Sequence, residues 1–132
     1  MPATAFAAFR SGNYSGKTTN NGPVSFKATQ SKLSKLSIGV VFNCTDGDKF
    51  QTVLKGFPAQ NIVENRAGVG RYNATFTGSG GASRYVHKGG IRNKRAIGTF
   101  TGRRTYDTDD QLDPDGTVVC TTGTLRYTVR RP

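Results

Sequence analysis

The chain has 132 residues, the length of one domain with no room for a second core, and its eight Phe and five Tyr are too much aromatic material for a disordered polymer. Seventeen Gly, abundant Thr, Ser and Asn, and no Trp disfavour helix and favour strands, while no stretch approaches the roughly 20 apolar residues of a membrane span. Nineteen Lys and Arg against eight Asp and Glu leave a net charge of +11, which draws phosphate, acidic glycan or anionic lipid without choosing between them.

Residues 1–11 read as an N-terminal arm and 12–132 as a single β domain. The apolar opening Met1 to Phe9 has no basic start and is too short for a signal peptide, so an exported form would have lost its leader or left the cell by another route. Within the arm, Phe6 and Phe9 stand among small residues, where they either fold back on the chain's own sheet or reach a neighbouring subunit. A first strand is predicted over about Arg10 to Thr18, carrying Tyr14. Val24, Phe26 and Ala28 then alternate with polar residues, and Gln30 to Lys32 makes a short connection to the clearest strand of the chain. In that strand Leu36, Ile38, Val40, Phe42 and Cys44 share one face.

Asp46-Gly47 is a turn signal leading to a strand from Lys49 to Leu54, which Phe57-Pro58 ends. Ile62 and Val63 suggest a weak strand, and Tyr72, Ala74 and Phe76 a clearer one. After the flexible Gly78 to Gly81, the segment Ser83 to His87 reads as an edge strand, because Arg84 and Lys88 would discourage edge-to-edge pairing. From Ala96 to Gly102 the inward phase is either Ala96, Gly98 and Phe100 or Ile97, Thr99 and Thr101, and the one containing Phe100 is preferred. Tyr106 to Gly116 reads as an exposed acidic loop. In the last strand, Thr117 to Val129, the apolar phase slips one place near Gly123, and a β-bulge there would return Val118, Cys120, Leu125, Tyr127 and Val129 to one face. The expected fold is therefore all-β, an antiparallel sandwich or flattened barrel of about eight or nine short strands.

Cys44 and Cys120 allow one internal pairing, a disulfide where the environment oxidises and two buried thiols otherwise. Arg84, Lys88, Arg92, Lys94, Arg95, Arg103 and Arg104, joined by Arg126, Arg130 and Arg131, form a candidate basic patch for a polyanion or an acidic protein. Tyr85, Tyr106 and Tyr127 are offered as stacking faces beside it. Asp107, Asp109, Asp110, Asp113 and Asp115 have alternate carboxylates of the kind calcium takes; the spacing matches no calcium loop, so Asp107, Asp109, Asp113 and Asp115 remain weak ligand candidates and no cofactor is expected. His87 is the only imidazole, and Ser83 with His87 does not by itself make a nucleophile and base.

Gly12-Asn13-Tyr14-Ser15-Gly16-Lys17-Thr18, Val24-Ser25-Phe26, Phe42-Asn43-Cys44-Thr45-Asp46-Gly47, Gly98-Thr99-Phe100-Thr101-Gly102-Arg103 and Cys120-Thr121-Thr122-Gly123-Thr124-Leu125-Arg126-Tyr127 follow a shared pattern. It resembles a group of small, secreted, glycine-rich β-sandwich proteins of Actinobacteria, mostly uncharacterised. The resemblance spans about residues 12 to 131 and implies an exported β-sandwich with paired cysteines; it implies no activity. The acidic insertion departs from the group's pattern, and a small β domain decorating a bacteriophage capsid or tail is the other setting. The functional expectation is a non-catalytic structural or interaction module acting by surface contact in an extracellular assembly, a cell envelope or a virion, with protein neighbours as partners. A basic module binding nucleic acid or anionic polysaccharide is the alternative.

Overall fold

The computed structural model describes residues 9–132. Its strands are β1 (Gly12–Thr18), β2 (Pro23–Ala28), β3 (Lys32–Cys44), β4 (Lys49–Leu54), β5 (Gln60–Asn61), β6 (Val63–Glu64), β7 (Gly70–Gly78), β8 (Ser83–Arg92), β9 (Arg95–Tyr106) and β10 (Val118–Arg130). Among the described residues there is no α-helix, only one 3-10 turn at Ser79–Gly81. The fold is all-β. The strand count exceeds the expected eight or nine because the weak region around Ile62 divides into two two-residue strands, β5 and β6.

All pairings are antiparallel, in the order β4-β3-β2-β1-β10-β9-β8-β7-β6, with β5 on β3. The sheet closes on itself because β3 also pairs with β10, Cys44 opposite Cys120 and Asn43 opposite Thr121. The second half of β10 lies beside β1 instead, and the β1–β2 turn fills the gap between, where the Thr19 amide donates to the Arg126 carbonyl at 2.9 Å. The sheet thereby becomes a flattened barrel. Phe26 of β2 meets Tyr72 of β7 and His87 of β8 across the interior, at ring-centroid distances of 6.0 and 6.3 Å.

Two bulges keep apolar residues pointing inward. In β10, Thr121 pairs with Arg103 but Thr124 with Thr101, so one extra residue lies opposite Gly102, and Gly123 takes the left-handed conformation (φ 64°) that this requires. Cys120 before it and Leu125, Tyr127 and Val129 after it are all buried. In β3, Lys35 does the same with φ 56°, so Leu33 and Leu36 are both buried although their separation would place them on opposite faces of a regular strand.

The segment beginning at Ser83 is not an edge strand: β8 runs ten residues between β7 and β9. It runs through Gly89, where the Tyr72 hydroxyl from β7 occupies the space a side chain would take. Phe9 likewise corrects the subunit-contact expectation. It is buried in the chain's own core, close against Gly70. Burying a Phe side chain contributes about 1.5–3 kcal/mol, which would be forfeited if Phe9 swung out to a neighbour. Phe6 lies outside the described residues.

Candidate functional site

Alternation along β7 to β10 sorts their side chains into two chemically different faces. The inward face is aromatic and centred on a row of directly opposed residues, Tyr72, Gly89, Gly98 and Tyr127. A Cβ on Gly89 or Gly98 would collide with the hydroxyls of Tyr72 and Tyr127 respectively, so the two glycines make the space in which those hydroxyls meet, 2.6 Å apart. His87 joins them: its Nε2 lies 2.6 Å from the Tyr127 hydroxyl and its Nδ1 2.7 Å from Gln60 Oε1. One assignment satisfies every atom. Tyr72 donates to Tyr127, Tyr127 to His87 Nε2, and His87 Nδ1 to Gln60, whose amide donates to the His87 carbonyl at 3.5 Å. Burial lowers the His87 pKa to about 3, and burial first raises those of Tyr72 and Tyr127, so the chain of hydrogen bonds is uncharged at neutral pH. His87 is fully buried and its two ring nitrogens are occupied, which makes it a core residue; Ser83 lies four positions along the same strand.

The outward face is cationic. Together β7, β8, β9 and β10 carry Arg71, Arg84, Lys88, Arg92, Arg95, Arg103, Arg104, Arg126 and Arg130 and neither Asp nor Glu. All of these except Arg104 are exposed. Registry gathers them into bands running across the strands: Arg84 opposite Arg103; Lys88 and Arg126 on either side of Thr99; and Arg92, Arg95 and Arg130 in one line. Successive bands are four residues apart, about 13–14 Å at the strand rise. Lys94 lies in the β8–β9 turn at one end of the face. Lys17 of β1, opposite Thr128, extends it past β10. Arg71 and Lys17 were not singled out in the sequence, although Arg71 alternates with the apolar phase of Tyr72 and could have been placed outward from that signal.

Two parts of the expected patch are corrected. Arg104 is on the inward phase of β9, half-buried, with its guanidinium 4.9 Å from the Phe42 ring centroid and donating to the Tyr85 and Tyr106 hydroxyls at 2.7 and 3.3 Å. Burial opposes its charge, but these hydroxyls outweigh it and leave the pKa above the ordinary arginine value. Tyr127 is buried and Tyr85 packs inward against Phe57 and Phe100, so neither is a stacking face beside the cations. Tyr106 follows the inward phase with Arg104. The reason is the period of two: a residue next to an exposed cation in a strand faces the other way.

The acidic residues sit elsewhere. Asp46, Asp48 and Asp110 line a hollow of about 270 Å³ beside the Cys44–Cys120 disulfide, and Glu64 is on β6. Asp107 Oδ1 accepts the amides of Asp109 and Gln111 at 2.9 Å, and Asp113 Oδ1 that of Asp115 at 2.9 Å, so these carboxylates shape their own loop. Among the described residues no group of three His, Cys, Asp or Glu could hold a metal ion. No helix of the described residues is long and apolar enough to cross a membrane. The chain matches no family model, no curated protein and no solved structure.

Proposed function

We propose that this chain is a non-catalytic interaction module that acts by surface contact, and that its contact surface is the basic outer face of β7–β10, which docks an anionic partner. One observation carries the reading: neighbouring strands present Arg and Lys in register, band after band, with no carboxylate among them to neutralise the field. The arm contact through Phe9 drops out, since that side chain belongs to the core. The setting is extracellular, on a cell surface, in a secreted assembly or on a virion. A disulfide between β3 and β10 supports it, because such bonds persist where the environment oxidises, and so does the resemblance to secreted β-rich proteins.

The test is retention on heparin and affinity for anionic polymers as a function of salt. With six or more phosphate-like contacts, affinity falls by a factor of about a thousand between 50 and 200 mM salt. Changing Arg92, Arg95 and Arg130 together to Glu abolishes retention at the higher salt. Salt-independent binding, or retention unchanged in that triple variant, refutes the reading. A second reading follows from the segregation of charge: the acidic hollow at the disulfide end could dock on the basic face of another copy. It requires light scattering to report salt-sensitive association of the pure protein.

A further inference from the structure

We infer that the anionic partner is an acidic polysaccharide, one of whose charged sugar units seats in a depression at the middle of the basic face. This rests on the reading of that face as the contact surface. The depression, about 580 Å³, lies over the backbone of Gly89 and Gly98, flanked by Arg71, Lys88 and Arg126 with Asn73, Thr99 and Ile97. Its floor is the directly opposed Gly89 and Gly98 of β8 and β9. The volume falls in the range of about 300–1,000 Å³ typical of small-ligand sites and exceeds what a lone sulfate or phosphate needs.

The lining matches an anionic sugar. The three cations receive a sulfate or carboxylate, the Asn73 amide and Thr99 hydroxyl exchange hydrogen bonds with ring hydroxyls, and Ile97, which is 53% exposed, offers an apolar surface to the C–H side of a pyranose. The bands of Arg84 with Arg103 and of Arg92, Arg95 and Arg130 lie about 13–14 Å to either side along the strands and meet the charges of neighbouring sugar units. Nucleic acid fits less well. The outward positions of β7–β10 hold no aromatic side chain, so single-stranded bases have no stacking platform. A duplex meets such a face through its phosphates and has no protruding group to enter the depression.

The experiment compares a sulfated heparin oligosaccharide, oligogalacturonate, duplex DNA and polyphosphate of matched charge, at about 0.15 M salt, where long-range attraction is largely screened. At least one of the two oligosaccharides is expected to bind about tenfold or more tightly than either phosphate polymer, a difference of about 1.4 kcal/mol. Two double variants, each removing two exposed charges and each checked for unaltered thermal unfolding, locate the seat. Lys88→Gln with Arg126→Gln weakens oligosaccharide binding about tenfold or more, as expected for losing charge-assisted hydrogen bonds, whereas Arg84→Gln with Arg103→Gln costs about threefold or less. Equal losses from the two doubles, or tighter binding of DNA or polyphosphate, overturn the sugar seat and leave the contact face standing. Failure of every polyanion to bind even at low salt overturns the contact face, and the sugar seat with it.

Discussion

At neutral pH His87 is an uncharged side chain in the middle of the barrel, and its proton affinity makes stability depend on acidity. In the unfolded chain it binds a proton near its ordinary pKa of 6.5, but in the folded chain only near 3. Between those values the unfolded state holds more protons, so stability is complete above about pH 6.5 and declines as pH falls towards 3. The loss is about 5 kcal/mol at most, at 1.36 kcal/mol per pKa unit. Replacing His87 with Phe leaves Gln60 Oε1 without its donor and lowers stability at pH 7 by about 1–3 kcal/mol. The variant then loses less on acidification, so urea-unfolding free energies of the two proteins converge by pH 4. Curves that stay parallel from pH 7 to 4 would contradict a neutral, buried His87. In the sequence His87 could be noticed only as the one imidazole. Its partners are Gln60 and Tyr127, 27 and 40 residues away, and nothing local announces either.

Single strands were legible to the extent that their periodicity was clean. Alternation allowed two phases in β9, of which the preferred one, through Phe100, is the buried one, and the bulge at Gly123 in β10 follows from the slip in alternation there. The bulge in β3 did not, because Lys35 is a residue type that seldom adopts positive φ. This asymmetry gives an opposite pair of predictions. Gly123→Ala forces a Cβ into the left-handed region and lowers stability by about 1 kcal/mol, whereas Lys35→Gly relieves that cost and is neutral to stabilising by up to about 1 kcal/mol. Chemical denaturation of both variants checks the signs; a destabilised Lys35→Gly would mean that its side chain contributes more than its backbone costs. The misplacement of β8 as an edge strand has a similar cause. Arg84 and Lys88 are residues that an edge strand carries, but here they stand on a strand paired on both sides, and only the pairing reveals that.

For the molecule as a whole, the disulfide holds together the two strands whose pairing closes the sheet. Cys44 and Cys120 are 76 residues apart and directly opposed, and closing a loop of that length contributes roughly 4 kcal/mol in the chain-entropy picture. The double variant Cys44→Ser with Cys120→Ser is expected to lose about 2–5 kcal/mol in equilibrium unfolding. Opening there also frees the acidic hollow's walls, so amide exchange should accelerate at Asn43, Thr45 and Val119 before it does in the Tyr72–His87–Tyr127 centre. Uniform acceleration would show that the barrel opens as one unit.

The all-β class, the position of nearly every long strand, the inward phases of β3, β9 and β10, and the cationic surplus were all determined by the sequence itself. Each is a property of composition or of a two-residue period, and both are local. Tertiary structure alone decided which strands are neighbours, and with that the identity of the site. Arg103 and Arg104 are adjacent in the chain, yet one joins the outer field and the other lies on Phe42. Lys88 and Arg126 become neighbours only through the pairings of β8 with β9 and of β9 with β10, and with Arg71 they flank the depression over Gly89 and Gly98. Registry is set by hydrogen bonds and packing between segments far apart in sequence, which is why the charges could be counted in advance but not arranged.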